Sequence, residues 1–428
     1  MDVLKITGGT PLVGEIEIKG SKNAALAILS AVILAKGETI LQNVPRVSDI
    51  DIKLRLLGRF GVKYHWNDKN LHIDATNLQD VEPEEDLVRP IRTSFYVLGS
   101  LIARMGRARL PKPGGCKIGA RPVDFHLKGL ALMNVTIDES SGRYLAETPK
   151  LVGAEIYLDF PSAGATQHLM ATACLAQGLT VIHNAAIEPE VIALAGFLKR
   201  MGAKIEGDGT STITVNGVDE LFGCTYRVPE DRIQAATYLM AGVITGGDVQ
   251  VTGIVPEQQT ALVNKLREAN ADVFEGNDWI RARVEGPLTA IRVKTMPYPG
   301  FPTDIQQPMA AVLALAHGSS VIEETIYESR FGHVTELNRM GAKMRIEGRS
   351  TIIDGVAKLE GAVVEASDLR AGAALVLAGL AAEGDTIIKN IHYIDRGYEE
   401  LEHNLRQLGG TIERVPFDDG VSAPTEAV

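Results

Sequence analysis

AKGETILQNV, at residues 35–44, is one of five versions of a single sequence motif that recurs along the chain. In each version a glycine follows an alanine-rich apolar segment and precedes a short alternating run. The other four are AQGLTVIHNA (176–185), TGGDVQVTGI (245–254), AHGSSVIEET (316–325) and AEGDTIIKNI (382–391). Because glycine tolerates the left-handed conformation that closes a helix, we interpret each motif as a helix C-cap followed by a strand.

A sixth segment, ARMGRARLPKPGG at residues 103–115, completes a repeat of six units of about 70 residues each. The cap glycines are Gly37, Gly106, Gly178, Gly246, Gly318 and Gly384. Each unit predicts an apolar helix, a cap, a strand, an amphipathic helix and a second strand. Paired alternating segments before the apolar helices, such as LKITGGTPLVGEIEIKG (4–20), indicate hairpins. Six units are too many for one core, so we expect three in each of two domains.

The first helix of each unit is apolar on nearly every face, as in AALAILSAVILA (24–35), and such a helix must be buried. The second helix has a clear polar side, as in YEELEHNLRQL (398–408). The pattern therefore predicts an α/β fold in which sheets and amphipathic helices wrap around central apolar helices.

The composition bounds the kind of protein and its partners. The chain has 428 residues, 45% of them hydrophobic, and a net charge of -11, which argues against general nucleic-acid binding. The N-terminus lacks a secretory pattern, and the longest apolar run is too short to cross a bilayer, so we expect no membrane insertion. Three cysteines without metal-ligand spacing favour a reducing cytoplasm and predict no metal site. No motif indicates a cofactor. The residues from about 416 onward predict a disordered tail.

The stretch LPKPGGCKIGARPVD (110–124) predicts a reactive loop. Its glycines allow the backbone to approach a ligand closely, and Lys112, Lys117 and Arg121 place positive charge around the Cys116 thiol. The alternative is a surface turn that carries an incidental cysteine, since a free cysteine is usually a small buried hydrophobe.

Polar residues stand at the predicted starts of the buried helices: Lys22, Asn23, Arg92, Ser162, Thr166, Asp231, Arg232, Asp304, Asp368 and Arg370. The neutral and acidic ones are ordinary N-cap residues. A cation at a helix N-terminus opposes the helix dipole, however, so Lys22, Arg92 and Arg370 require an anion or carboxylates nearby. Arg330 and Arg396 recur in matching strand-to-helix links, and these cations together predict binding of phosphate and carboxylate groups.

Taken together, these segments resemble the UDP-N-acetylglucosamine 1-carboxyvinyltransferases, a family of enolpyruvyl transferases in bacterial peptidoglycan synthesis. The resemblance is carried by GSKNAAL (20–26), PGGCKIGARPVD (113–124), FPSAGAT (160–166), PEDRI (229–233), GFPTD (300–304), ESRF (328–331), SDLRA (367–371) and HYIDRGYE (392–399). It implies an inside-out α/β barrel of two domains, each with three repeats, buried parallel helices and outer sheets. The first domain would comprise residues 1–21 and about 230–428, and the second residues 22–229.

The resemblance also implies the reaction and its residues. The enzyme would join phosphoenolpyruvate to the 3'-hydroxyl of UDP-N-acetylglucosamine, with Cys116 as proton donor and Asp304 as base. Lys22, Arg121 and Arg396 match phosphoenolpyruvate contacts. The implied nucleotide-sugar and anion contacts are Asn23, Arg92, Arg121, Pro122, Val123, Asp124, Phe125, Ser162, Gly164, Asp304, Ile326, Arg330 and Arg370. The alternatives are a nucleotide-sugar-binding regulator without turnover and an enolpyruvylshikimate-phosphate synthase, a relative that lacks the cysteine loop.

Overall fold

The structure is a computed structural model that describes residues 2–114, 119, 123–139 and 142–416. The chain divides into two compact units. Unit 1 comprises Met1–Ile18, Arg232–Met296 and Phe301–Val428, and unit 2 comprises Lys19–Asp231 and Pro297–Gly300. Each unit has its own hydrophobic core. The predicted disordered tail lies almost wholly outside the described residues.

The described residues form α1 (Lys22–Ala31), α2 (Ser48–Arg59), α3 (Glu85–Val88), α4 (Val97–Met105), α5 (Asp124–Leu132), α6 (Ala163–Ala173), α7 (Pro189–Arg200), α8 (Arg232–Ile244), α9 (Thr260–Glu268), α10 (Gln306–Leu313), α11 (Gly332–Arg339), α12 (Leu369–Ala381) and α13 (Leu401–Gln407). Short 3-10 helices cover Val32–Leu34, Arg92–Tyr96, Pro256–Gln259, Thr303–Ile305 and Ile391–Arg396. None of the described helices combines the length and the hydropathy that a membrane crossing requires.

The strands are β1 (Asp2–Thr7), β2 (Val13–Glu17), β3 (Ala35–Lys36), β4 (Glu38–Gln42), β5 (Lys63–Asn67), β6 (Asn70–Asp74), β7 (Arg107–Pro111), β8 (Thr136–Asp138), β9 (Arg143–Glu147), β10 (Glu155–Tyr157), β11 (Leu179–His183), β12 (Lys204–Glu206), β13 (Thr212–Asn216), β14 (Leu221–Phe222), β15 (Thr225–Arg227), β16 (Asp248–Thr252), β17 (Asp272–Glu275), β18 (Trp279–Arg283), β19 (Arg292–Lys294), β20 (Ser319–Glu323), β21 (Lys343–Glu347), β22 (Ser350–Asp354), β23 (Val363–Glu365), β24 (Asp385–Lys389) and β25 (Thr411–Pro416). The predicted α/β character is therefore confirmed.

The apolar helices lie in the cores, as their sequences predict. In unit 1, α8 is buried from Ile233 to Ile244 and α12 from Arg370 to Leu380. Helices α1, α4 and α6 occupy the corresponding place in unit 2. A fully buried aliphatic side chain contributes about 1.5–3 kcal/mol, so these helices supply much of the stabilisation of each unit.

The sheets repeat with the same pairing. In five repeats the strand after the cap glycine has one parallel and one antiparallel neighbour, as β20 has in β19-β20-β22-β21. The other four-stranded sheets have the orders β23-β24-β1-β25, β17-β18-β16-β2, β10-β11-β13-β12 and β15-β4-β6-β5. The repeat that carries the predicted reactive loop differs, since its sheet has the order β7-β9-β8.

The predicted hairpins are wrong. Strand β1 pairs with β24 and β25, whereas β2 pairs with β16, so the two N-terminal strands belong to different sheets. Likewise β22 pairs within the β20 sheet and β23 with β24. Alternation shows that a segment is a half-buried strand but does not identify its partner. Each pair of segments therefore connects successive sheets.

The cap prediction is confirmed in part. Gly106 closes α4 with a φ of 73° and its N–H bonds to the Ile102 carbonyl. The other five glycines also have positive φ, but α6 and α10 end several residues before theirs. There the glycine turns the chain from the helix into the strand.

Candidate active site

The predicted site residues fall into both units. Unit 1 holds Asp304, Ile326, Arg330, Arg370 and Arg396, and unit 2 holds Lys22, Asn23, Arg92, Val123, Asp124, Phe125, Ser162 and Gly164. Cys116, Arg121 and Pro122 lie outside the described residues.

Asp304 brings two predicted arginines together. It lies in the 3-10 helix Thr303–Ile305, immediately before α10. Its Oδ1 accepts from Arg330 Nη1 at 2.8 Å and its Oδ2 from Arg370 Nη2 at 3.2 Å. The arginine side chains are 5% and 3% exposed, whereas the Asp304 side chain is 26% exposed. Two buried guanidinium groups therefore fix the position of a carboxylate that remains partly exposed.

Arg370 is held from the other side by a buried hydroxyl network. Its Nη1 donates to the Tyr398 hydroxyl at 3.1 Å, and that hydroxyl is 2.9 Å from Thr237 Oγ1 in α8. Asp368 caps α12 by accepting from the Arg370 and Ala371 N–H groups. The capping interpretation of Asp368 is confirmed, and the cap fixes the start of the helix, in which Arg370 is the second residue.

The remaining unit 1 residues lie on connecting segments. Ile326 follows β20, is partly buried, and its N–H bonds to Glu324 Oε1 at 2.7 Å. Arg396 ends the 3-10 helix Ile391–Arg396 and is also partly buried.

Lys22 is the predicted cation at the start of α1, and it has the carboxylate that the dipole argument requires. Its Nζ lies 3.2 Å from Asp49 Oδ2, and its backbone N–H donates to Asp231 Oδ2 at 3.1 Å. Ser21 caps the helix by accepting from the Ala24 N–H. Asn23 follows on the same turn and is partly buried.

Ser162 and Gly164 form the start of α6. Ser162 Oγ accepts from the Ala165 N–H at 3.2 Å, so the capping interpretation of Ser162 is confirmed too. A Cβ on Gly164 would lie 2.6 Å from the Tyr96 hydroxyl, so the helix start packs closely against that ring and has no room for a side chain. Phosphate groups bind favourably at such helix starts.

The segment from Val123 to Phe125 leads into α5. Val123 precedes the helix, Asp124 is exposed, and Phe125 packs partly buried against the unit 2 core. Arg92 begins the 3-10 helix before α4. Burial raises the pKa of Tyr144, and the positive charge of Arg92 opposes that rise.

Sequence reasoning missed the buried polar residues behind these side chains. Lys53 is wholly buried one turn after Asp49, and its Nζ donates to the Thr93 carbonyl at 2.8 Å. Burial lowers the pKa of Lys53 to about 7. Asp49 and Lys53 both occupy core-facing positions of the amphipathic α2. Charged residues at such positions are a sequence signal that could have identified the pair.

A buried histidine pair also escaped prediction. His126 Nδ1 and His168 Nδ1 are 2.9 Å apart, and His168 Nε2 accepts from the Gly99 N–H at 2.9 Å. Because that nitrogen must present a lone pair, neutral His168 carries its proton on Nδ1 and donates it to His126. Burial, and secondarily the Lys53 charge, lowers the pKa of His168 to about 3.

The described cysteines have no part in this geometry. Cys174 is fully buried, and burial raises the pKa of its thiol to about 12. Burial also raises the pKa of half-buried Cys224. Among the described residues, no group of three or more His, Cys, Asp or Glu side chains is placed to hold a metal ion.

Known proteins share this sequence and fold. A family model described as EPSP synthase (3-phosphoshikimate 1-carboxyvinyltransferase) matches residues 6–405. A UDP-N-acetylglucosamine 1-carboxyvinyltransferase of Clostridium botulinum is 46% identical over 97% of this chain and 100% of its own length. A UDP-N-acetylglucosamine 1-carboxyvinyltransferase 2 of Carboxydothermus hydrogenoformans is 48% identical, with the same two coverages.

Solved structures agree with the sequence matches. The enolpyruvyl transferase NikO from Streptomyces tendae superposes with a TM-score of 0.88 at 26% identity, covering 97% of this chain and 99% of that one. An EPSP synthase from Acinetobacter baumannii shares the fold, with a TM-score of 0.75 at 19% identity over 97% and 100% of the two chains. The chain therefore belongs to the enolpyruvyl transferases, in the family of the UDP-N-acetylglucosamine 1-carboxyvinyltransferases.

Proposed function

We propose that the protein transfers the enolpyruvyl group of phosphoenolpyruvate to the 3'-hydroxyl of UDP-N-acetylglucosamine and releases phosphate, the first committed step of peptidoglycan synthesis. The observation that carries the proposal is the accessible carboxylate of Asp304 between the buried Arg330 and Arg370, in a chain of this family. A base beside fixed cations suits attack by a hydroxyl group on an anionic substrate.

The reaction is an addition followed by an elimination. Asp304 takes the hydroxyl proton while the oxygen bonds to the substituted enol carbon, and Cys116 gives a proton to the terminal carbon. Loss of a proton from that carbon and departure of phosphate then restore the double bond. Lys22, Arg121 and Arg396 bind phosphoenolpyruvate in this proposal, and Arg330 and Arg370 support Asp304 and the anionic groups.

The nucleotide sugar binds, in the same proposal, to residues at helix starts and on connecting segments. The diphosphate lies at the start of α6, near Ser162 and Gly164, where the N–H groups and the helix dipole favour negative charge. The remaining contacts are Asn23, Arg92, Arg121, Pro122, Val123, Asp124, Phe125, Asp304 and Ile326.

We further propose that each unit is one half of an inside-out α/β barrel with parallel buried helices, with domain boundaries near residues 21 and 230. The buried helices and repeated sheets of each unit support this arrangement. The proposed place of action is the cytoplasm, since both substrates are cytosolic metabolites.

The test is phosphate release from phosphoenolpyruvate in the presence of UDP-N-acetylglucosamine. We expect turnover with this pair, none with shikimate 3-phosphate as acceptor, and loss of activity in Cys116→Ala. Tight binding of the nucleotide sugar without product would instead support the regulator, and full activity of Cys116→Ala would reject the thiol as the acid. An epoxide phosphonate is expected to inactivate the enzyme by alkylating Cys116, as mass spectrometry of the labelled peptide would show.

A further inference from the structure

Glu324 is a fully buried carboxylate directly after β20. Its Oε1 accepts from Thr295 Oγ1 at 2.9 Å and from the N–H groups of Ile326 and Tyr327 at 2.7 and 3.1 Å. Its Oε2 accepts from Thr303 Oγ1 at 2.7 Å. Within the described part of the chain Glu324 forms no ion pair. Burying such a group is costly unless its oxygens are satisfied, so its hydrogen bonds require a specific arrangement of the surrounding segments.

Thr303 connects Glu324 to the proposed base. Its single hydroxyl proton points to Glu324 Oε2, so a lone pair remains to accept from Arg330 Nη1 at 2.9 Å. The same Nη1 donates to Asp304 Oδ1 at 2.8 Å. The buried Arg330 Nε has no hydrogen-bond partner among the described residues. Its hydrogen bonds to Thr303 and Asp304 therefore orient this guanidinium, whose Cζ also lies 5.4 Å from the centroid of the Tyr327 ring.

We propose that Glu324 is a positioning residue that holds Arg330 against Asp304 through the Thr303 hydroxyl. The same carboxylate fixes the backbone at Ile326, a proposed nucleotide-sugar contact, so one buried group aligns the base and part of the acceptor site. The inference rests on the proposed function and adds a requirement to it: a proton on Thr303 that is directed away from Arg330.

Two nearly isosteric substitutions test the connection. Glu324→Gln removes the charge and leaves the Thr303 proton without its acceptor, because the amide oxygen must face the two backbone N–H groups. Thr303→Val removes the bridge itself. We expect each to lower kcat about tenfold to a hundredfold, the loss typical of a hydrogen bond to a charged group. Thr303→Ser retains the hydroxyl and is expected to retain kcat within about threefold.

Thr295→Val is the matched control, because Thr295 bonds to the opposite oxygen of Glu324, and its other hydrogen bonds within the described part of the chain are with Glu323 and Thr325. We expect it to lower the Tm but to change kcat less than about twofold. The double variant Glu324→Gln, Thr303→Val is expected to lose little more than Thr303→Val alone, because both act through one chain of bonds.

The outcomes separate this inference from the proposed function. No turnover by the unaltered protein rejects the proposed function. Normal turnover that persists in both Glu324→Gln and Thr303→Val, or losses that multiply in the double variant, overturns the role of Glu324. If Glu324→Gln fails to fold, Thr303→Val compared with Thr303→Ser decides the question.

Discussion

Asp304 is the residue at which the buried cations of unit 1 meet, and its conversion to an amide isolates its proposed role. Asp304→Asn keeps the size and the hydrogen-bonding oxygen but cannot take a proton. We expect kcat to fall about 10²- to 10⁴-fold, the usual contribution of a general base, in steady-state assays of phosphate release. Asp272→Asn, at an exposed strand position of the same unit, should leave kcat unchanged. Comparable rates in the two variants would reject Asp304 as the base.

The burial of Lys53 should make the stability of the folded protein depend on pH. The pKa of Lys53 is about 7 in the folded protein, because burial disfavours the ammonium, against an ordinary value of 10.5 for lysine. Between these values the unfolded chain binds more protons, so the stability rises with pH, by about 2 kcal/mol from pH 7 to 9. Urea unfolding of Lys53→Met should lack this rise. Lys63→Met, in the exposed β5, should retain it, and an identical rise in both variants would contradict the assignment.

At the scale of elements, the contact between α4 and α6 depends on a glycine. A Cβ on Gly99 would lie 2.0 Å from Thr172 Oγ1 and 2.4 Å from His168 Nε2. Gly99→Ala must therefore push the helices apart or displace the histidine pair, and we expect a loss of about 1–3 kcal/mol in the free energy of unfolding. Chemical denaturation measures it.

Gly58→Ala provides the control for this substitution. Gly58 lies on the exposed side of α2, where a Cβ would meet only Tyr64 Cε1 within 4 Å, at 3.6 Å. Alanine there should be neutral or stabilising by up to about 1 kcal/mol. Equal effects of the two substitutions would show that helix propensity, not packing between α4 and α6, sets the cost at Gly99.

The helices and strands differ in how well the sequence predicts their place in the fold. Alanine-rich helices predicted the cores, since helices such as α8 and α12 have no polar face to present to water. The pairing partners of the strands were not predictable from the sequence. Apolar and polar residues alternate along β1 and β2 as expected for strands, yet each pairs with a strand distant in sequence.

Among the site residues, the motifs and the dipole argument indicated cations and carboxylates, and the structure adds which of them meet. Glu324 could have been recognised from its place in SSVIEET, where Ser320, Ile322 and Glu324 share the inward-facing parity. His168 has no such signal, because its helix is buried on every side and only tertiary contacts assign its partners.

At the scale of the molecule, the core of each unit contains a buried histidine that resists protonation, His168 in unit 2 and His333 in unit 1. His168 in unit 2 has a pKa of about 3, and His333 in unit 1 has a pKa of about 4, in both cases mainly because burial disfavours the imidazolium. Two charges also act on His333: Asp368 raises its pKa and Arg330 lowers it. Both unfolded-state values are near 6.5. Below that pH the unfolded chain binds protons that the folded chain excludes, so both units should lose stability as the pH falls from 6.5 toward 4.

The loss should be about 2 kcal/mol per histidine between pH 7 and pH 5, before most carboxylates titrate. His168→Gln can keep an acceptor for the Gly99 N–H, and His333→Leu replaces a ring whose two nitrogens have no hydrogen-bond partner among the described residues. In each variant, the free energy of unfolding of the substituted unit, measured with urea, should depend less on pH than in the unaltered protein. The substitution His403→Gln, at an exposed position, should leave this pH dependence unchanged. Because the histidines lie in separate cores, the double variant should remove the sum of the two effects. A pH dependence unchanged in both single variants would mean that other groups carry the acid sensitivity of this fold.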